Sequence, residues 1–128
     1  MGQQQLLLII LGVIIVGIAI AVGLSLFSAQ SVQSNRDAII NDLNNLAAQA
    51  YQFRIRPTSM GGGQGDYTTF AIPTKMRTNE NATYTISSPS ANSLSFLATS
   101  AQNSSNTVSV SIDSNGRLSG WSYTGDFQ

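Results

Sequence analysis

The chain begins with an apolar stretch that covers every side of a helix. From Leu6 to Phe27 it carries no charged side chain, and fourteen Leu, Ile and Val residues lie between Leu6 and Leu24. A helix of this length measures about 33 Å, against about 30 Å for the hydrocarbon core of a bilayer. Because it has no polar face it must be buried, and either lipid or a helix bundle would bury it. We therefore predict an apolar half-helix over residues 1–27.

An amphipathic pattern follows without a break. Its apolar positions are separated alternately by four and three residues, which places them on one seam of a helix: Ile39, Leu43, Leu46, Ala50 and Phe53. Val32 extends this seam towards the apolar stretch, and Pro57 disfavours helical geometry at Arg56. Residues 28–53 are thus predicted to continue the same helix, with the seam packed on a domain formed by the rest of the chain.

The C-terminal part, residues 81–128, alternates polar and apolar side chains as half-buried strands do. Four segments have this pattern: 83–87, 93–98, 107–112 and 117–123. The pair Asn115-Gly116 is typical of a two-residue hairpin turn. The apolar side of the resulting sheet is expected to face the helix seam through Tyr84, Ile86, Leu94, Phe96, Val108, Val110 and Ile112. The alternation puts Trp121 on the side opposite Leu118, so its place in core or surface stays open.

These elements predict an α+β fold, in which one long N-terminal helix packs its second half on an antiparallel sheet of about four strands. Residues 54–80 connect helix and sheet. Their glycine-rich part, 61–65, predicts a loop that is either flexible or closely packed. No Gly-Lys-Ser/Thr follows these glycines, so a phosphate-binding loop is not indicated.

Composition narrows the range of functions. Six basic and six acidic residues give a net charge of zero, and the first charged side chain along the chain is Arg36. A neutral chain offers no basic field to nucleic acid. The chain has no cysteine and no histidine, which excludes disulfide frameworks, zinc sites with these ligands and acid–base catalysis by histidine. Its carboxylates are scattered along the sequence and indicate no catalytic pair. We expect neither an enzyme nor a bound cofactor or metal.

The apolar stretch has two simpler interpretations. A cleavable secretory signal would need Lys or Arg before a shorter apolar run, whereas Met1-Gly-Gln-Gln-Gln5 carries no charge and the run continues past Ala19-Ile-Ala21. A plain membrane anchor fits the length. It does not account for the amphipathic continuation of the same helix.

The start of the chain resembles that of the type IV pilins. Residues 5–10, Gln-Leu-Leu-Leu-Ile-Ile, resemble the beginning of a pilin helix, Met1 falls where the N-methylated first residue would be, and Gly23 lies near a position at which many pilins carry a helix-kinking proline. The resemblance covers residues 1 to about 53 in pattern and the remainder in architecture. One departure is Gln5, which stands where the family carries a glutamate. A neutral amide is a weaker partner for an N-terminal amine than a carboxylate.

The resemblance implies a structural subunit, a major pilin, of an extracellular filament on the cell surface, for which lipid holds the apolar helix before assembly. Its partners would be further copies of the chain, the bilayer and the pilus assembly machinery. The alternatives are a single-span surface protein with a small β-domain and a minor pseudopilin of a secretion or DNA-uptake system. The resemblance also leaves open whether Met1 is the mature first residue or whether cleavage after Gly2 makes Gln3 the first.

The residues expected to make contacts between subunits all lie on the apolar half-helix. Two pairs of small residues at spacing four, Gly17 with Ala21 and Ala19 with Gly23, would let helices approach closely. The full set is Met1, Gln5, Leu6, Leu7, Ile10, Gly12, Ile14, Gly17, Ala21 and Gly23.

Two asparagines match the pattern for N-glycosylation. They are Asn81, followed by Ala-Thr, and Asn103, followed by Ser-Ser. In a chain so rich in Asn, Ser and Thr the match is weak, and both remain candidate modification sites.

Overall fold

A computed structural model describes residues 2–128, so the assembly role expected for Met1 lies outside the described residues. The fold class is α+β, as predicted. The chain divides into two compact units, one ending at Gln33 and the other running from Ser34 to Gln128. The elements in order are the helix α1 (Gly2–Ile55), a short 3-10 turn (Thr58–Met60), the short helix α2 (Thr74–Arg77), the strands β1 (Ala82–Ser87), β2 (Leu94–Ser100), β3 (Thr107–Ile112) and β4 (Leu118–Tyr123), and a second 3-10 turn (Gly125–Phe127).

The four strands form an antiparallel sheet in the order β1-β2-β3-β4. Neighbours along the chain are therefore neighbours in the sheet, which suits the short connections between them. One row of residues across the sheet contains Ile86, Phe96 and Val110. The next row, on the opposite face, contains Thr85, Leu97, Ser109 and Ser122.

The two faces of the sheet differ in chemistry. One face closes the core together with the seam of α1. The other is lined with hydroxyl side chains and a single apolar one, Leu97. Its hydroxyl residues are Thr83, Thr85, Ser87, Ser95, Thr99, Thr107, Ser109, Ser111, Ser119 and Ser122.

The helix seam is buried as the spacing predicted. Four of its five residues are fully buried: Ile39, Leu43, Leu46 and Ala50. Ala47, which is not one of the five, is buried beside them. Phe53 and Val32, at the two ends of the seam, are half-buried. The ring of Phe53 lies 5.4 Å from that of Phe70, which meets Phe96 of β2 edge-on at 6.4 Å. Of the expected sheet residues, only Ile86 is not fully covered.

A register shift in β3–β4 decides the place of Trp121. The pairing changes between Ser109 and Ser111, and Gly120 there adopts φ +69°. A bulge inserts one residue and reverses the alternation beyond it. As a result Leu118, which pairs with buried Ile112, and Tyr123, which pairs with buried Val108, lie on the same face. Trp121, two residues before Tyr123, shares this helix-facing side and is half-buried. Simple alternation could not have shown this.

The turn before β4 differs from the predicted two-residue hairpin. The loop comprises residues 113–117, with Gly116 N–H donating to the Asp113 carbonyl over 3.1 Å. Within residues 113–117 only Gly116 has positive φ, +82°, whereas a two-residue type I′ turn needs it at two positions. The Asp113 carboxylate accepts from the backbone N–H of Asn115 and of Arg117, both at 2.9 Å. These bonds, that of Arg117 foremost, lower the pKa of Asp113.

The glycine-rich loop is closely packed, which is one of the two predicted alternatives. It folds back on the end of α1, where helix carbonyls lack partners within the helix. The Gly63 N–H donates to the Phe53 carbonyl over 2.8 Å, and the Gln64 N–H to the Arg56 carbonyl over 2.9 Å. A Cβ added at Gly62 would lie 2.2 Å from the Arg56 carbonyl oxygen. The loop therefore caps the helix, and its glycines let the backbone approach closely.

A buried polar contact joins the start of the helix seam to the sheet. Ser100 of β2 donates to Oδ1 of Asn35 over 2.6 Å, and Nδ2 of Asn35 donates to the Asn81 carbonyl over 3.1 Å. Asn35 and Ser100 are 6% and 4% exposed. The contact is directional, so it fixes which turn of α1 meets the end of β2.

Replacing Ser100→Ala is expected to destabilise the domain by about 1–3 kcal/mol, because it leaves a buried amide oxygen without its donor. Urea unfolding of the detergent-solubilised chain, followed by near-UV circular dichroism, measures this. Ser109→Ala, on the hydroxyl face, is the matched control and should change the stability by less than about 0.5 kcal/mol. Equal unfolding midpoints for the two variants would contradict the role given to Asn35.

Candidate functional site: the exposed apolar segment of α1

The apolar segment, which we define as residues Leu6–Phe27 of α1, exposes all of its large side chains. Their exposed fractions range from 52% at Ile14 to 72% at Phe27. Monomeric soluble proteins rarely expose continuous apolar surface of this extent, and where they do it marks contact with a membrane or with another protein. By length and composition this helix could cross a membrane.

The segment continues directly into the part of α1 that carries the buried seam. No helix break separates the two, since α1 runs unbroken from Gly2 to Ile55. From Gly2 to Gln33 the helix residues are exposed or half-exposed, and the buried positions begin at Asn35.

The structure places the predicted assembly residues on two sides of the helix. At 3.6 residues per turn, positions separated by three and four residues lie on one side. This first face contains Leu6, Leu7, Ile10, Ile14, Gly17 and Ala21.

The second face lies roughly opposite. Gly12 and Gly23 are eleven residues apart, or about three full turns, so they point the same way. Gln5, seven residues before Gly12, lies with them, and its side chain is exposed. Gln5 therefore does not share a side with the stripe from Leu7 to Ala21.

The two pairs of small residues also separate between these faces. Ala19 and Gly23 are shifted by two positions from Gly17 and Ala21, which is about 200° around the helix. Each face thus offers one place where a second helix backbone could approach closely. Both pairs are visible in the sequence, but their opposite placement was not predicted, because it follows only when the helical period is applied across the two pairs.

Among residues 2–128, no atom occupies the space beside the three glycines of these faces. A Cβ built at Gly12, Gly17 or Gly23 meets no atom within 4 Å. A larger side chain at these positions is consequently tolerated by the isolated chain. Any effect of such a change reports contact with something outside it.

The electrostatics of the segment are simple because it has no charge. The nearest charged residue along α1 is Arg36, whose guanidinium lies 4.3 Å from the ring centre of Tyr123. Further along, Asp42 accepts a 2.5 Å hydrogen bond from the Tyr84 hydroxyl. Burial, and then this bond to the carboxylate, raise the pKa of Tyr84. These ionisable groups lie in the domain and leave the apolar segment neutral at every pH.

The two candidate glycosylation sites have different surroundings. Asn81 is half-buried, and its Nδ2 donates to Asp42 over 3.3 Å. Asn103 is exposed, and its Oδ1 accepts from the Ser105 N–H over 2.9 Å in a loop. A glycan attaches to the side-chain nitrogen, so Asn103 is the more accessible of the two. Modification of either remains a prediction.

Comparison with models of protein families, with curated proteins and with solved structures found no match.

Enlarging either small-residue face should disturb packing between copies without unfolding the domain. We expect Gly17→Leu on one face and Gly23→Leu on the other each to reduce assembly about fivefold or more, since overpacking a helix contact costs about 1–3 kcal/mol. The yield of sedimentable assemblies per expressed chain measures this.

Val22→Leu is the control, because position 22 lies between the two faces and already carries a large side chain. Near-UV circular dichroism should be the same for all three variants. Wild-type yields from both glycine variants would argue against close helix packing at these faces.

Proposed function

We propose that the protein is a structural subunit of an extracellular, type IV pilus-like filament, and that it polymerises through the apolar segment. The observation that carries this proposal is a single helix with two kinds of surface. Its second half has one apolar seam, which the chain's own sheet covers, whereas the first half is apolar all round and exposed.

The need for an external partner follows from the size of that surface. Fourteen large aliphatic side chains left in water would cost on the order of 20–40 kcal/mol per chain, more than the whole stability of a typical domain. Lipid removes this cost before assembly, and neighbouring copies of the helix remove it afterwards.

The two faces favour a polymer over a closed dimer. A dimer with two-fold symmetry uses one self-complementary patch on each copy. Here Gly17 with Ala21, and Ala19 with Gly23, offer close approach on opposite sides, so one helix has room for two neighbours simultaneously. Contacts that join different faces of identical copies are heterologous and generate helical filaments when they do not close.

In this proposal the remaining parts have defined roles. The domain from Ser34 to Gln128 forms the outside of the filament, and assembly machinery extracts the helix from the membrane. Gln5, an uncharged amide, would pair with a neighbour through hydrogen bonds and not through an ion pair.

Electron microscopy of material sheared from the cell surface tests the proposal. The expected result is filaments whose subunit mass, by intact mass spectrometry, matches this chain. The same spectrum fixes the first residue and reveals N-methylation or a glycan on Asn103.

Two other outcomes would point elsewhere. Recovery of the chain only from detergent-extracted membranes would replace the filament subunit with a single-span surface protein. Trace amounts in filaments built from another protein would make it a minor pseudopilin.

A further inference from the structure

Both edges of the sheet have free backbone groups. The bridge between Thr78 and Thr83 covers only the beginning of β1. From Tyr84 to Ser87 the outer side of β1 makes no backbone hydrogen bond within residues 2–128, and the outer side of β4 makes none along its whole length in the same range. Each edge is thus a template for another strand.

Neither edge strand is blocked by its side chains, and the bulge at Gly120 bends β4 only locally. Natural edge strands are commonly blocked by charged side chains or by proline. β1 reads Ala-Thr-Tyr-Thr-Ile-Ser and β4 reads Leu-Ser-Gly-Trp-Ser-Tyr, without a charge or a proline in either. A chain presented at high local concentration with two such edges is suited to pair them.

The strand directions make a second copy the fitting partner. With four antiparallel strands in chain order, β4 runs opposite to β1. Moving one copy sideways across the sheet, without turning it, therefore sets its β4 antiparallel to the β1 of its neighbour. This contact joins two different edges, so it repeats from copy to copy and does not close into a dimer.

A groove beside the free part of β1 offers space for a side chain of the arriving strand. Its volume is about 470 Å³, and β1 lines it through Tyr84, Thr85 and Ile86. An apolar cavity of about 150 Å³ already accommodates a benzene ring. The apolar side chains that line it include Phe70, Ile72, Ile86 and Pro89.

Trp121 lies at the matching height on the other edge. Ile86 pairs with Phe96, which pairs with Val110, and Trp121 lies in the bulge opposite Val110. Trp121 and Ile86 therefore occupy one cross-strand row, on the same face, at opposite edges. The indole is half-buried. Its ring centre lies 6.4 Å from that of Tyr123, and the two ring planes are almost parallel.

We propose that the β4 edge of one copy pairs with the β1 edge of the next, and that Trp121 inserts into the groove of Phe70, Ile72, Ile86 and Pro89. The contact rests on the proposed filament, which brings the domains side by side. It adds to the helix packing a continuous sheet between neighbouring domains.

Disulfide trapping tests the contact, because the chain has no cysteine of its own. Thr85 and Ser122 lie in one row on the hydroxyl face, at opposite edges. Within one copy they are three strand spacings apart, about 14 Å, beyond the reach of a disulfide. Filaments of the variant Thr85→Cys/Ser122→Cys, oxidised and run on a non-reducing gel, should give a ladder of dimers, trimers and larger species.

Two further variants complete the design. Ser87→Cys/Ser122→Cys detects pairing displaced by two residues along the strand. Thr85→Cys/Ser109→Cys is the matched control, since Ser109 lies on an interior strand that no neighbouring edge can reach; it should give no ladder.

The outcomes separate this contact from the filament itself. Filaments seen by electron microscopy but no ladder from either edge pair would overturn the sheet contact and leave the filament intact. Absence of wild-type filaments would overturn the proposed function, and the contact with it.

A second readout uses Trp121, the only tryptophan of the chain. Its quenching by acrylamide should fall about twofold or more from the detergent-dispersed chain to the filament, because an apolar groove covers the ring. Unchanged quenching would contradict the place given to Trp121.

Discussion

The structure depends on one constraint: a chain of this size can cover only half of its own long helix. A sheet of four short strands buries a single seam, from Ile39 to Ala50, and its other face is lined with hydroxyl groups and offers no continuous apolar surface to the preceding residues. The apolar segment is therefore an exposed apolar surface that the chain's own sheet does not cover. Everything proposed about lipid, neighbouring copies and polymer growth follows from that unbalanced surface.

Polar contacts fix where the covered half of the helix meets the sheet. Apolar packing alone tolerates sliding, whereas hydrogen bonds require particular partners. Near the beginning of the seam, Asn35 is held by Ser100 and Asn81. Near its end, Arg54 donates to the Ser114 carbonyl over 2.9 Å, which ties the helix to the β3–β4 turn. The seam supplies the stability, and these two contacts set its register.

The sequence predicted what depends on local periodicity. A period of 3.6 residues in the sequence predicts the helix and its four buried seam residues. A period of 2 predicts the four strands. The strands begin and end within one or two residues of the expected positions. Three of the ten assembly residues, Gly12, Gly17 and Gly23, have no atom of residues 2–128 within 4 Å of an added Cβ. Their suggested contact role thus rests on partners that a single chain does not contain.

What the sequence did not predict depends on contacts between distant residues. The bulge at Gly120 reverses the alternation of β4, and no local pattern announces it. Tyr67, in a loop by composition, is fully buried and donates to the Asp113 carbonyl over 2.7 Å. The sequence predicts the glycine loop, but its role as a cap depends on the bonds that Gly63 and Gln64 donate to the carbonyls of Phe53 and Arg56. In the turn at Asn115-Gly116, the Asp113 carboxylate accepts bonds from the N–H groups of Asn115 and Arg117, and these bonds stabilise a longer loop than the dipeptide alone suggests.

The hydroxyl face of the sheet has a consequence for the medium in which such a surface works. It carries ten serine and threonine side chains and no charge. Salt weakens attraction and repulsion between charged groups, with a Debye length of about 10 Å at 0.1 M and about 3 Å at 1 M. A surface hydrated through hydroxyl groups has little for ions to screen. The hydration of this face, and its lack of attraction to charged surfaces, should therefore stay the same from fresh water to brine.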